Sequence, residues 1–208
     1  MTPNEHYFSS IPNSPYKITI ISAILCNQIF ELYSAPGVFS SRKVDTGTSV
    51  LLKNAHIPNH GKILDLGCGI GVIGVVIGVL HPNLEIHFMD INSRGTELTK
   101  LNSEKYNLKS YTIYTGDYLK ILEKNGFYYD TIYFNPPIRL GKTIYLNQIV
   151  FATQYLKFGG IMQIVIKKKL GAESVYDHLR KNLDERLYSI KIIAKNSGYW
   201  VFALQKNA

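Results

Sequence analysis

Residues 62–183 alternate between two kinds of segment, and this alternation limits the fold more than any other feature of the chain. Short apolar runs, KILDLG, LEIHFMD, SYTIYTGD, YYDTIYF and IMQIVIKKK, are each followed by a stretch of helical spacing. The helical stretches are residues 72–80, ended by His81-Pro82, then SRGTELTKLNSEKY, YLKILEKNG, TIYLNQIVFATQYLK and ESVYDHLRKNL. Near-continuous apolar runs suit strands buried on both faces, and strand–helix alternation predicts a parallel sheet wound on both sides by helices. The ligand of such a sheet binds beyond the carboxyl ends of its strands, where strand order reverses. Residues at those ends are therefore the ones to examine.

The flanks read differently. RLYSIKIIAKN and GYWVFALQK predict an antiparallel pair after the last helix. Ahead of the alternating region, ITIISAIL and IFELYSAPGVF, separated by Cys26-Asn27-Gln28, predict a β-hairpin. DTGTSVLLKNA predicts a helix with an acid at its front. Residues 1–15 carry three prolines and read as an arm or loop.

Other classes are disfavoured. The longest apolar runs, Ile18–Leu25 and Val72–Leu80, are too short to span a bilayer, which takes about 20 residues. MTPNEHYFSS lacks the basic-then-apolar order of a secretory leader. Two cysteines, Cys26 and Cys68, make no disulfide framework. A cytoplasmic protein with no membrane partner is expected. The formal net charge of +8 fits either plain solubility or attraction to a polyanion. Fifteen tyrosines fit base stacking or strand cores. The six histidines show no metal-ligand spacing, so no metal is expected.

Acids stand at three successive strand ends. Asp65 opens Asp65-Leu66-Gly67-Cys68-Gly69-Ile70-Gly71, a turn that lets a ligand approach the backbone. A carboxylate there would repel a pyrophosphate but accept a zwitterionic ligand. Asp90 closes the second strand, where it either takes the two hydroxyls of a ribose or caps the helix beginning near Ser93. Asp117, in Gly116-Asp117-Tyr118, either accepts from an adenine amino group or caps YLKILEKNG. Ribose, adenine and a charged amino-acid end together describe S-adenosylmethionine.

The chain resembles the class I S-adenosylmethionine-dependent methyltransferases. DLGCGIG is similar to their first motif, Asp90 to their second-strand acid, Asp117 to their adenine-side acid, and Asn135-Pro136-Pro137-Ile138 to their fourth motif. Gly37-Val38-Phe39-Ser40, Lys43, Asp45, Gly47-Thr48 and Leu51-Leu52, with His6-Tyr7-Phe8, resemble the entry segment of the RsmC-like small-subunit ribosomal RNA guanine-N2 methyltransferases. Ile138, where many such enzymes carry Tyr or Phe, points to their archaeal branch.

The resemblance implies a Rossmann-like, doubly wound seven-stranded α/β sheet, mostly parallel with an antiparallel C-terminal strand. A small β-hairpin extension (1–38) would precede the methyltransferase domain (39–208). It implies S-adenosylmethionine binding by Asp65, Gly67, Cys68, Gly69, Gly71, Asp90, Ile91, Asp117, Tyr118 and Asn135, with Phe39, Lys43 and Thr48 lining the entry. Cys68 reads as packing within the turn. The substrate is expected to be RNA, ribosomal or in the small subunit, gripped by Arg42, Arg139, Lys142, Lys167, Lys168 and Lys169, with the enzyme a monomer or homodimer.

The fourth motif explains its own composition. An exocyclic amino nitrogen is a poor nucleophile because its lone pair is delocalised into the ring. Fixed acceptors for both amino hydrogens, the Asn135 side-chain oxygen and the Pro136 carbonyl, would draw it toward a pyramidal shape. The prolines preset that backbone. A protein glutamine amide and a DNA adenine offer the same planar NH₂ and remain alternatives, as does a non-catalytic scaffold. With Ile138 after the prolines, Phe39 or Phe134 would stack on the base, or either is simply core.

Overall fold

The computed structural model describes residues 14–208, so the arm and His6-Tyr7-Phe8 lie outside the described residues. Strands β1 (Thr19–Leu25) and β2 (Gln28–Ser34) form the expected hairpin. Cys26 and Asn27 both have positive φ, 49° and 65°, which closes a two-residue turn with the twist a hairpin needs. Helix α1 (Thr46–Asn54) follows, and then β3 (Gly61–Leu66), α2 (Val72–Leu80), β4 (Leu84–Asp90) and α3 (Ser93–Lys105). The chain continues through β5 (Tyr111–Thr115), α4 (Tyr118–Asn125), β6 (Tyr129–Phe134), α5 (Lys142–Thr153) and β7 (Leu156–Lys167). Helix α6 (Ala172–Asn182), β8 (Tyr188–Asn196) and β9 (Tyr199–Lys206) complete it.

The main sheet has seven strands in the order β5-β4-β3-β6-β7-β9-β8. Every pair is parallel except β7–β9 and β8–β9, so β9 is the antiparallel C-terminal strand that the sequence predicts. Strand order reverses between β3 and β6. The residues leaving those two strands, Gly67 and Asn135, thus start at the crevice where such sheets bind ligands.

Alternation within each strand builds two cores. Ile63, Ile86, Phe88, Tyr133, Val165 and Val201 face α1, α2, α3 and the hairpin. Leu64, Leu66, Ile132, Phe134, Ile164 and Phe202 face α4, α5 and α6. Helix α2 lies close on the sheet because two of its apolar positions are glycines: a Cβ on Gly74 would collide with the Phe88 ring. The hairpin joins the first core through Ile21, Leu25, Phe30 and Leu32. Its outer edge is tied to α3, where Asn102 Oδ1 accepts from Tyr33 N (2.7 Å) and Asn102 Nδ2 donates to Tyr33 O (3.1 Å) and Ile70 O (2.9 Å).

Three boundaries differ from expectation. The second hairpin strand stops at Ser34 rather than Phe39, because Pro36 and Gly37 (φ 86°) turn the chain away. Helix α5 stops at Thr153, not Lys157, and β7 already begins at Leu156. There Leu156 pairs with Tyr129 and Ile161 with Thr131, and the residues between bulge out through Gly159 (φ 78°) and Gly160. The tight approach of Gly160 to the carbonyls of Lys157 and Tyr129 leaves no room for a side chain. The third is the end of β7, which stops at Lys167, two residues short of the apolar-basic run; 168–170 form a 3-10 turn. Among the described residues, no helix is long and apolar enough to cross a membrane.

Candidate active site

The turn after β3 is built from three left-handed glycines, Gly67 (φ 64°), Gly69 (φ 56°) and Gly71 (φ 81°). Its amides do not all face solvent. Cys68 N donates to Met89 O (3.0 Å) and Gly69 N to Asp90 Oδ2 (2.7 Å), so the turn is latched to the end of β4. Asp90 Oδ1 accepts from Asn92 N (2.8 Å), and Asn92, rather than Asp90, caps α3 by accepting from Gly95 N (3.0 Å). Burial pushes the Asp90 carboxyl up, while the N–H groups of Asn92, Gly69 and Ile91 pull it back.

A cavity of about 290 Å³ opens over this turn. Gly67, Gly69, Asp90, Ile91, Asp117 and Tyr118 form one side, and Asn135, Pro136 and Pro137 the other. A Cβ on Gly69 would meet nothing within 4 Å, so its missing side chain leaves open space beside the cavity. Asp117 N-caps α4 by accepting from Leu119 N (3.0 Å), with its carboxylate exposed at the cavity. Both readings of Asp117 are thus compatible in one geometry. The Tyr118 hydroxyl is raised well beyond its ordinary range by burial, then by Asp90 and Asp117.

Asp65 sits below this cavity. It is 1% exposed, and its Oδ2 accepts from Gly74 N (2.9 Å). Burial raises its carboxyl to about 7, with the Gly74 N–H lowering and the Asp90 charge raising it. It lines a second, smaller cavity of about 40 Å³ with Thr48, Cys68 and Asn135. Cys68 is buried with Sγ 3.7 Å from Thr99 Oγ1, and burial pushes its thiol well above the ordinary range, a packing residue rather than a nucleophile. Gly71 is off the cavity: it precedes α2, and a Cβ there would press on Thr99.

Asn135 links the two cavities. Its Nδ2 donates to Asp45 Oδ2 (3.1 Å) and Thr48 Oγ1 (3.0 Å). A carboxylate only accepts, so the amide nitrogen must face Asp45. Its Oδ1 makes no hydrogen bond among the described residues and is left at the cavity wall. Asp45 also N-caps α1, accepting from Thr48 N (3.3 Å). It enters the sequence argument only as the acid fronting a helix and as part of the entry segment. The pointer to its position is the three-residue spacing to Thr48, which brings both side chains to the same end of α1.

The prolines hold a tight turn. Pro136 O accepts from Ile138 N (2.9 Å) around Pro137 (φ −74°, ψ 75°), an inverse γ-turn in which the carbonyl's second lone pair has no partner among the described residues. Ile138 packs against the α4–α6 core, and Leu140 occupies the cavity wall in its place. Phe134 is fully buried against Tyr118, whereas Phe39, 41% exposed, stands at the mouth of both cavities. Gln148 also lines the main cavity, and its buried Oε1 has no hydrogen-bond partner among the described residues. The sequence signal for Gln148 is a polar residue on the face of α5 that otherwise buries Tyr145, Leu146, Ile149 and Ala152.

Arg42, Lys43, Lys142, Lys167, Lys168 and Lys169 do not line the cavity. Arg42 and Lys43 are exposed beside the entry segment. Lys142 Nζ donates to Ser174 Oγ (2.7 Å), Lys167 Nζ lies 5.8 Å from the Tyr199 ring centre, and Lys168 and Lys169 are exposed in the 3-10 turn after β7. Arg139 lies in the 3-10 turn Ile138–Leu140. Among the described residues, no group of three or more His, Cys, Asp or Glu could hold a metal ion.

The family model "Methyltransferase small domain" matches residues 29–203. "Uncharacterized protein YbxB" of Bacillus subtilis (strain 168) is 33% identical over 204 residues, 98% of this chain and 99% of that protein. A "Ribosomal RNA small subunit methyltransferase C" of Haemophilus influenzae (strain PittGG) is 37% identical over 138 residues, 64% of this chain and 41% of that protein. The solved structure of the T. thermophilus 16S rRNA N2 G1207 methyltransferase (RsmC), in complex with AdoMet and guanosine, superposes with a TM-score of 0.74 at 20% identity, covering 93% of this chain and 52% of that one. The chain spans about half the length of the ribosomal RNA methyltransferases it matches. These relatives are bacterial, and they lend no support to the archaeal branch expected from Ile138.

Proposed function

Because this chain belongs to the methyltransferase small domain family, we propose that it methylates an exocyclic amino group of a nucleobase, guanine N2 in small-subunit ribosomal RNA. The cofactor is S-adenosylmethionine, and the residues present suit it. The side-chain-free backbone at Gly69 borders the cavity, Asp90 supplies a carboxylate at the end of β4, and Asp117 supplies another beside Tyr118. S-adenosylmethionine, when bound, supplies a methyl group on a sulfonium, so the electrophile arrives activated.

The observation that carries the proposal is the locked amide of Asn135. With Nδ2 committed to Asp45 and Thr48, Oδ1 can only accept. It takes one hydrogen of the target amino group, and the unused lone pair of Pro136 O takes the other. Two fixed acceptors favour a pyramidal nitrogen over the flat, conjugated one, which frees its lone pair. The negative charge of Asp45 behind the amide polarises Oδ1, so a neutral side chain acquires part of the character of a carboxylate. The ribosomal RNA small subunit methyltransferase C of Haemophilus influenzae and the T. thermophilus structure, whose name gives N2 of a guanine, support that substrate over protein or DNA. Arg42, Arg139, Lys142, Lys167, Lys168 and Lys169 are the proposed phosphate contacts, Phe39 the proposed face for the extruded base.

Transfer of a radiolabelled methyl group to separate pools of small-subunit RNA, assembled small subunits, DNA and protein extract tests this reading. Label recovered as N2-methylguanosine supports it. Label in glutamine or adenine keeps the chemistry and replaces the substrate, and no label in any pool contradicts it.

A further inference from the structure

A third depression lies on the same rim of the sheet, away from the cofactor cavity. Its volume is about 250 Å³, and it is lined by Lys168, Lys195, Asn196, Ser197, Tyr199 and Trp200 around Gly198. The 3-10 turn after β7 is pinned to the β8–β9 turn by Lys168 N donating to Gly198 O (2.8 Å), so the two basic arms are held side by side. Lys195 Nζ sits 4.0 Å from the centre of the Trp200 ring, which restrains its ammonium at low entropic cost. No acidic side chain lines the depression, and none of Lys167, Lys168, Lys169 or Lys195 is in an ion pair among the described residues.

The depression is connected to the reacting centre. Tyr199 borders it and packs beside Gly47, where an added Cβ would lie 3.0 Å from the ring. That same Cβ would lie 2.7 Å from Asp45 Oδ2, so the Tyr199 ring and the carboxylate that accepts from Asn135 flank one glycine, and the Tyr199 hydroxyl is raised by burial and then by the Asp45 charge. Asn135, which lines the cofactor cavity, is thus joined to this basic depression through Asp45, Gly47 and Tyr199.

We infer that this depression docks the single-stranded RNA flanking the target base, with Lys168 and Lys195 on successive phosphates and Asn196 and Ser197 facing the ribose hydroxyls. Unpaired cations converging on a groove with aromatic walls are what a sugar–phosphate strand requires. Asn196 and Ser197 add hydrogen-bonding groups that suit 2′-hydroxyls, which DNA lacks. The inference rests on the proposed RNA substrate, and it assigns to that substrate a path over the β8–β9 turn.

The test uses the full chain and a fluorescein-labelled, guanine-containing single-stranded oligoribonucleotide, with binding followed by anisotropy over a series of KCl concentrations. The K168E/K195E double variant should bind at least tenfold more weakly. Its slope of log affinity against log salt should fall by roughly 1.4, since each lost single-strand phosphate contact removes about 0.7. K109E/K124E, which makes the same charge change before β5 and in the last turn of α4, should match the wild type. Unchanged melting temperature and unchanged S-adenosylhomocysteine binding confirm that both variants are folded. Equal losses in the two double variants, or polyglutamate competing as well as RNA, would overturn the inference. Methyl transfer to the same oligonucleotide is read separately. Its absence with groove-dependent binding intact would count against the proposed function alone, and its presence with binding indifferent to Lys168 and Lys195 would count against the groove alone.

Discussion

Asn135 Nδ2 donates to Asp45 Oδ2 at 3.1 Å, joining the end of β6 to the cap of α1. The direction in which the Asn135 amide points is therefore set by a helix that precedes the sheet in the chain. Asp45 performs two tasks with one oxygen, since Oδ2 also accepts from Thr48 N.

Separating those tasks gives the first prediction. Asp45→Ala should slow methyl transfer by about 100-fold, the scale of a misplaced reacting group, and lose about 1 kcal/mol of stability with the cap. Asp45→Asn keeps an accepting oxygen for the cap and should lose less stability, yet it lacks the charge that polarises Asn135 and should still be slow. Single-turnover rates and urea unfolding of the two variants measure each effect. Equal rates for Asp45→Asn and wild type would show that the charge has no part.

Asp90 holds the glycine turn as well as facing the cavity. Asp90→Ala frees the N–H groups of Gly69 and Asn92. Bonds to charged groups are worth about 1.5–3 kcal/mol, so S-adenosylhomocysteine binding by calorimetry should weaken by about 10- to 150-fold. Affinity within error of wild type would remove Asp90 from the cofactor site.

Gln148 lines the cavity beside the Tyr118 hydroxyl, with its buried Oε1 without a hydrogen-bond partner among the described residues. Gln148→Leu should lower affinity for S-adenosylhomocysteine by about tenfold, one neutral hydrogen bond, without lowering the melting temperature. A more stable variant with full affinity would mean that the orphaned oxygen faces no ligand.

Asp65 makes stability depend on pH. Its carboxyl, raised to about 7 from an ordinary 3.8, stays protonated in the folded chain after the unfolded chain has ionised. The sign follows: its stabilising contribution is full below about pH 4, is lost as pH rises to about 7, and stays lost above that. Asp65→Asn keeps an oxygen for Gly74 N but cannot ionise. The melting temperature of Asp65→Asn relative to wild type should therefore rise between pH 4.5 and pH 8. Parallel pH profiles would contradict it.

The alternating strands and helices were legible in the sequence because strands buried on both faces leave unbroken apolar runs, whereas the strand order that places the reversal between β3 and β6 was not. Gly67, Gly69, Asp90, Asp117 and Asn135 all stand at the ends of those runs, and they meet at one cavity. What was not legible depends on distant parts of the chain. The partnership of Asp45 with Asn135 requires α1 to dock beside β6, and nothing local to either residue records that. The bulge at Gly159-Gly160 was hidden by the helical spacing that runs on past Thr153, and only the pairing of Leu156 with Tyr129 reveals it. Ile138 stands where many such enzymes carry an aromatic, but after the inverse γ-turn at Pro137 it packs against the core, which its place after two prolines does not record.

The most direct measurement is the single-turnover rate of Asn135→Ala beside its affinity for S-adenosylhomocysteine. If Oδ1 acts on the amino group in the transition state, the rate should fall by about 10²–10³-fold, as for removal of one preorganised polar group, while affinity and melting temperature change little. A rate near wild type, or a loss of rate matched by an equal loss of cofactor affinity, would contradict the role assigned to Asn135.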